Sequence, residues 1–366
     1  MVARRFPLHS REHEAEYNRA GETSLAELPS VTLLKPLKGW EPTTEACLRS
    51  WLELRYPSPI QVLFGVASPS DPAVEGVRRL IESHPGCNAR LVLCQKQFGV
   101  NAKVSTLIHL LREAEHEVIA VSDADVMVPP DFMVNAVVPL RDPEVGLVHS
   151  FYRMSNPTTL AMQCEAVAIN GDFWSQVLQS QSLRPVDFAL GAVMITRQEQ
   201  LKQIGGFEFL VDHLADDFHL GHQIARGGQR VMLCPVVVDC VSPPMGWKEV
   251  WNHQLRWSRT IRVCRPLPYA LSIIGNATLW PLLWLASQPA PAVLGTVGCF
   301  LVVRIVLAQN LQSRLHPEAA GLRYFWLVPV KDLLQFALWF FSFVGTKVVW
   351  RGKTFRVQPD GKLVPA

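Results

Sequence analysis

An α/β domain with a mostly parallel sheet and flanking helices, followed by C-terminal transmembrane helices, is the architecture this sequence predicts, on three observations. Up to Asp125, short apolar runs of strand length alternate with stretches of helical periodicity. Charged residues are frequent as far as Arg265 and then vanish from Pro266 through Val303. The chain is 366 residues long and 49% hydrophobic, enough for one large core and an appendage.

The elements follow in order. Val31 to Leu34 and Ile60 to Val66 read as strands, with a helix over Glu45 to Leu54 between them. Asp71 to Ser83 is helical, Ala89 to Leu93 extended and Lys103 to Ala114 helical. Val118 to Val121 is a buried strand that ends on Ser122-Asp123-Ala124-Asp125. In such a sheet ligands gather at the carboxyl ends of strands, where Asp71 and Asp123 fall. Beyond Val145 come an apolar segment through Val148, a helix over Thr159 to Gln179, a turn at Gly205-Gly206, a helix over Leu214 to Arg226 ended by Gly227-Gly228, and a strand over Arg230 to Val238. Trp247 to Arg265 reads as an amphipathic helix whose Trp247 and Trp251 suit a membrane interface.

The uncharged run exceeds the ~20 residues that one bilayer crossing needs. Gln288-Pro289-Ala290-Pro291 breaks it, predicting helices over Leu267 to Ser287 and Ala292 to Gln309, the second carrying Arg304. A third apolar segment, Tyr324 to Val349, contains Lys331 and Asp332. A buried soluble hairpin is the alternative, but soluble cores rarely lack charge for so long. Arg256, Arg259, Arg262 and Arg265 before the first span, with Arg314 and Arg323 between the second and third, belong on the cytoplasmic face. Three full spans would put the basic tail with Arg351, Lys353 and Arg356 outside, and a partly inserted third helix would avoid that. The partition is a polar leader at 1–30, a catalytic domain at 31–245, an interfacial helix at 246–265, a membrane region of about three helices at 266–350 and a basic tail at 351–366.

Composition excludes other classes. A net charge of +3 without a dense basic and aromatic cluster in the first two thirds argues against nucleic acid. Eight scattered cysteines, with no C-x-x-C pair, read as reduced core residues in a cytoplasmic setting rather than zinc ligands. The leader, with Arg4, Arg5, Arg11, Glu12, Glu14 and Arg19, has no apolar core and reads as neither signal peptide nor anchor. No G-x-G-x-x-G follows an early strand, against a nicotinamide dehydrogenase.

Three groups can carry chemistry. Asp123 and Asp125, two apart at a strand end, would point to one side of an extended segment and could share a ribose and a hard cation such as Mg²⁺ or Mn²⁺; a solvated acidic loop fits the same D-x-D. Asp216-Asp217, among Phe207, Phe209, Leu210 and Phe218, could hold one member with a raised pKa as general base, or serve a helix N-terminus by charge alone. His253 and Arg256, three apart on a helix, could meet a diphosphate, or anionic lipid headgroups.

Taken in order, these residues carry a resemblance: Lys35-Pro36-Leu37-Lys38-Gly39, Ser70-Asp71-Pro72-Ala73, Asn101-Ala102-Lys103, Ser122-Asp123-Ala124-Asp125, Gly146-Leu147-Val148-His149, Ala215-Asp216-Asp217 and Leu255-Arg256-Trp257-Ser258-Arg259-Thr260-Ile261-Arg262. From Val31 onward the chain resembles glycosyltransferase family 21, the ceramide glucosyltransferases, and within it the bacterial hopanoid-biosynthesis glycosyltransferases. The resemblance implies a GT-A nucleotide-sugar transferase fold on a membrane-bound, inverting, UDP-sugar-dependent hexosyltransferase with a divalent cation. It implies glucose or N-acetylglucosamine as the sugar, the hydroxyl of ceramide or a hopanoid as acceptor, and a multi-pass protein of the bacterial inner membrane with its catalytic domain facing the cytoplasm.

Residue by residue, it implies Asp71 at the nucleobase, Asp123 at the ribose and diphosphate-metal group, Asp125 at the metal and Asp217 as general base. Asn101, Lys103, His253, Arg256 and Trp257 complete the expected donor site. Two departures stand out. His253 takes the place of Gln or Arg, as in the hopanoid branch. An N-terminal membrane helix before the Lys-Pro motif is absent, so either the chain begins late or its C-terminal helices alone hold it. The competing functions are a processive polysaccharide synthase, which needs more spans than three, and a non-catalytic lipid-binding protein, which would be expected to lose a carboxylate.

Overall fold

The computed structural model describes residues 28–315, 324, 326–350 and 352–366. The leader before Leu28, Arg323 and Arg351 lie outside these residues. The chain divides into two compact units, 1–152 with 180–243, and 153–179 with 244–366.

In the first unit, runs of Val, Ile and Leu form strands because branched side chains pack well on a pleated surface. The strands are β1 (Val31–Leu37), β2 (Ile60–Val66), β3 (Asn88–Leu93), β4 (Val118–Ser122), β5 (Val126–Met127), β6 (Val145–Met154, whose last two residues count with the second unit), β7 (Val193–Arg197) and β8 (Arg230–Cys240). They form one eight-stranded sheet in the order β3-β2-β1-β4-β7-β6-β8-β5. β3, β2, β1 and β4 run parallel, with Val31 opposite both Ile60 and Val118. β7 pairs antiparallel with β4 and β6, and β5 pairs antiparallel with β8. The sheet is therefore mixed, parallel in the half where strands alternate with helices and antiparallel beyond it.

Alternate residues of a strand point to opposite faces, so each strand feeds two cores. Leu33, Val62, Phe64 and Ala120 pack on one face with Leu48, Trp51, Val77 and Phe132. Leu34, Leu63, Ile119 and Val121 pack on the other with Val104, Leu107, Leu220 and Ile224. Burying each such side chain contributes about 1.5–3 kcal/mol. The helices supplying them span Thr44–Leu52, Ala73–Glu82, Ala102–Arg112, Phe132–Val137 and Asp216–Arg226. The last ends where Gly228 takes φ +88°, the turn expected at Gly227-Gly228.

In the second unit the helix expected over Thr159 to Gln179 is interrupted. Leu160–Val167 is α-helical, Ala168–Phe173 widens into a π-helical turn, and an α-helix resumes at Trp174. Trp247–Cys264 is the predicted amphipathic helix. The first expected span is broken into Pro266–Leu271, a 3₁₀ turn at Ser272–Gly275 and Leu279–Ser287, with a 53° bend. Among the described residues one helix, Pro291–Leu315, is long and apolar enough to cross a membrane, and the bent pair could form a second crossing.

The third apolar segment is not one helix to Val349. Leu327–Phe343 is helical, Gly345 takes φ +96°, and the β-branched residues beyond it enter an antiparallel sheet of β9 (Lys347–Trp350), β10 (Lys353–Val357) and β11 (Leu363–Pro365). The basic tail is part of this sheet. Arg259 donates to the carbonyl of Val344 at 3.0 Å, placing a cation at the end of the Leu327–Phe343 helix.

Four ionic side chains are interlocked here. Arg304 donates to Asp172 at 2.7 Å and to Asp332 Oδ1 at 2.9 Å, while Lys331 pairs with both carboxylates. Thr278 Oγ1 donates to Asp332 Oδ2 at 2.6 Å. All eight cysteines are free; Cys47, Cys94, Cys164 and Cys234 are buried, whereas Cys299 is exposed on its apolar helix rather than in a core.

Candidate active site

Because β1 lies between β2 and β4 and all three run parallel, the loops at their carboxyl ends share one edge of the sheet. Asp71 sits in the loop after β2. Its Oδ1 accepts from the backbone N–H groups of Gly39 and Ala73, both at 2.9 Å, leaving Oδ2 without a partner among the described residues. Gly39 adopts φ +76°, a conformation that costs glycine little.

The Asp123 to Asp125 segment departs from the extended geometry expected of it: β4 stops at Ser122 and the chain turns through Ala124 and Asp125. Backbone contacts cause the turn. Asp123 N–H donates to the carbonyl of Ala192 at 3.3 Å, Lys35 Nζ donates to the carbonyl of Asp123, and Val241 N–H donates to that of Asp125 at 2.9 Å. Lys35 is fully buried, donates also to Ser122 Oγ at 3.2 Å and lies over the Trp51 ring at 4.8 Å. Burial pushes its pKa down to about 8, against the pull of nearby Asp123 and Asp125.

Lys103 joins the two acidic motifs. Its Nζ lies 2.8 Å from Asp123 Oδ1 and 3.2 Å from Asp216 Oδ2, the second an ion pair without hydrogen-bond alignment. Burial opposes its charge, but the attraction of Asp123 and Asp216 outweighs that and raises its pKa. Asn101 sets it there. The Asn101 side chain caps the Ala102–Arg112 helix by accepting from Val104 N–H at 3.1 Å and donates to the His213 carbonyl at 2.8 Å. Asn101 is fully buried and so engaged at both ends of its amide.

Asp216 and Asp217 open the Asp216–Arg226 helix, where the helix dipole favours negative charge. Asp216 is buried, whereas Asp217 is half-buried. Burial and the charge of Asp216 push the Asp217 carboxyl up to about 6, despite Lys103. A Cβ built on Gly191 would stand 2.8 Å from Asp217 Oδ2. The Gly191 segment is tied down by buried His149, whose Nδ1 accepts from Leu190 N–H at 3.1 Å. Burial holds His149 near pKa 3, hence neutral, as this acceptor role requires.

His253, Arg256 and Trp257 lie in the second unit. His253 Nδ1 donates to Glu165 Oε1 at 2.7 Å, and the imidazole packs on Trp257 with ring centres 4.6 Å apart. Sequence reasoning missed Lys35, His149, Gly191 and Glu165 as functional positions. Lys35 and His149 were visible only as members of motifs, and Glu165 only as a lone charge in an apolar helix.

A divalent cation fits Asp123 and Asp125 in a restricted sense. Asp125 is exposed, and its carboxylate makes no ion pair or hydrogen bond to another side chain among the described residues. No group of three or more His, Cys, Asp or Glu side chains is gathered for a metal among the described residues. Two carboxylates with the remaining positions filled by phosphate oxygens and water is the coordination that Mg²⁺-type ions favour.

The model of glycosyl transferase family 21 matches residues 5–363. Ceramide glucosyltransferase 1 of Caenorhabditis elegans is 22% identical over 357 residues, covering 92% of this chain and 73% of that protein. A probable glycosyltransferase of Bacillus subtilis, YdaM, is 23% identical over 64% of this chain and 56% of its own length. In fold, the chain is similar to the mannosyltransferase PcManGT from Pyrobaculum calidifontis, solved in complex with GDP-Man and Mn²⁺. The TM-score is 0.53 at 23% identity, over 86% of this chain and 87% of that one.

Proposed function

The chain belongs to glycosyl transferase family 21 and has a GT-A-like fold, and from that premise we propose that it moves a hexose from a UDP-sugar to the hydroxyl of a membrane lipid, with inversion at the anomeric carbon. The observation that carries the reading is the division among the carboxylates of the first unit. Lys103 pairs Asp123 with Asp216, while Asp217, half-buried and with a carboxyl titrating near 6, is poised to accept a proton.

In the proposed reaction Asp217 takes the proton of the lipid hydroxyl as that oxygen attacks C1. The bond from C1 to the diphosphate breaks on the opposite side. The unpartnered Oδ2 of Asp71 suits a nucleobase N–H, and Asp123 with Asp125 would hold Mg²⁺ or Mn²⁺. When bound, that ion neutralises charge on the leaving diphosphate. Arg256 and His253 are proposed as diphosphate contacts on the family resemblance of their motif alone. The apolar Pro291–Leu315 helix and the bent pair before it support attachment to a bilayer, with the arginines before Pro266 on the cytoplasmic side.

The test incubates the purified full chain in detergent with labelled UDP-glucose or UDP-N-acetylglucosamine, Mn²⁺, and an extract containing sphingolipids and hopanoids. A labelled lipid is expected. Lipid binding without transfer from either donor would overturn the enzymatic reading.

A further inference from the structure

Within the second unit, the helices Leu160–Val167, Trp247–Cys264 and Leu327–Phe343 line an open, mostly apolar pocket. Its walls are chiefly the apolar side chains of Trp247, Val250, Trp251, Leu334 and Leu338, with Gln254, Lys331 and Gln335 also lining it. One acid, Glu165, is built into this lining, with its side chain wholly buried. His253 Nδ1 and Gln254 Nε2 both donate to Oε1, at 2.7 and 2.6 Å. Oε2 is buried and has no hydrogen-bond partner among the described residues.

A buried carboxylate oxygen without a donor is costly, and an open apolar pocket can take one stretch of a lipid whose remainder extends out of it. The two needs are met together by an apolar molecule carrying a hydroxyl. The pocket-lining Leu327–Phe343 helix also exposes Leu333, Phe340 and Phe341, so apolar surface continues outward from the pocket wall. The Trp247–Cys264 helix contributes Trp247, an indole that is nearly half exposed at the rim.

We infer that this pocket binds the apolar portion of a hydroxyl-bearing lipid, with Glu165 Oε2 accepting a hydrogen bond from one of its hydroxyls. The inference rests on the lipid-acceptor reading above and deepens it. His253 thereby gains a second task. By engaging Oε1 together with Gln254, it turns the other oxygen of Glu165 toward the ligand. Glu165 is a positioning and specificity residue here and takes no part in the chemistry at C1.

The test uses the full chain in detergent, without UDP-sugar. A long-chain alcohol bearing a diazirine in its alkyl chain is compared with its methyl ether, which keeps the apolar body and loses the donor. Wild type should crosslink the alcohol at the 247–254 and 334–338 peptides with an affinity about tenfold above that of the ether, the scale of a hydrogen bond to a charged group. Equal labelling by alcohol and ether, or labelling confined to other peptides, would overturn the proposal, and neither result needs a variant to fold. Leu338→Trp, which fills the cavity, should abolish labelling of these peptides. In turnover, Leu338→Trp should raise the acceptor KM about tenfold or more while leaving the donor KM in place. An unchanged acceptor KM would sink the pocket and leave the transferase standing. Selective alcohol labelling in a protein that transfers no sugar would instead sink the transferase and leave the pocket.

Discussion

Gly191 lies so close to Asp217 that the smallest side chain on it would collide with the carboxylate, its Cβ standing 2.8 Å from Oδ2. The glycine is required by this approach and not by its backbone conformation, because its φ is not in the left-handed range. Together with His149 holding Leu190, it determines where the Asp217 carboxylate can rest.

Gly191→Ala should therefore lower kcat by about 10²-fold through displacement of the base, with UDP binding retained. Calorimetric titration with UDP beside a turnover assay separates the two effects. Loss of UDP binding together with kcat would place the glycine in the donor site instead.

The adjacent aspartates should fail differently. Asp217→Asn removes the proton acceptor and should cut transfer by about 10²–10⁴-fold without destabilising the chain. Asp216→Asn removes one of the two carboxylates paired with buried Lys103, and should cost about 1–3 kcal/mol of stability while leaving measurable activity. Thermal melts and single-turnover rates on both variants decide the matter, and an active Asp217→Asn would reverse the assignment.

Transfer should also depend on pH through Asp217. Its carboxyl is raised to about 6 and is active only when deprotonated, so activity is full above that value and falls tenfold per unit below it. A plot of log kcat/KM against pH for wild type should bend near 6. An acidic limb bending near 4 would point to an ordinary carboxylate as base.

Removal of the divalent ion should abolish tight donor binding, and Asp125→Asn should mimic it. With Mn²⁺ present, wild type should bind UDP at least tenfold more tightly than with EDTA, and the variant should lose most of that difference. Metal-independent UDP binding in wild type would remove Asp125 from this role.

Much of the first unit was legible because its signals are local. Ile60 to Val66 is an apolar run opening just after a proline, and it is the strand β2 residue for residue. The Gly227-Gly228 stop lies where the Asp216–Arg226 helix ends. The turn through Ala124 and Asp125 was not legible, because one of its ties comes from Val241 in a distant segment. Nor was the hydrogen bond from the Asn101 side chain to the carbonyl of His213, which only the fold brings near. Gly191 and His149 bear on Asp217 through a loop whose approach no spacing encodes. The long third helix failed for a local reason that was present in the sequence, the glycine at 345 followed by Thr346, Val348 and Val349.

The four interlocked charges of the second unit bear on how the chain can be made. Asp172 emerges first in synthesis, and Arg304, arriving 132 residues later, is its opposite in sign. Lys331 and Asp332 then arrive as neighbours that already cancel each other. The cluster can thus be assembled in two neutral steps, Asp172 with Arg304 and then the Lys331-Asp332 pair. A lone ion among apolar helices is costly, and pairing in these two steps leaves none of the four charges uncompensated in the finished cluster.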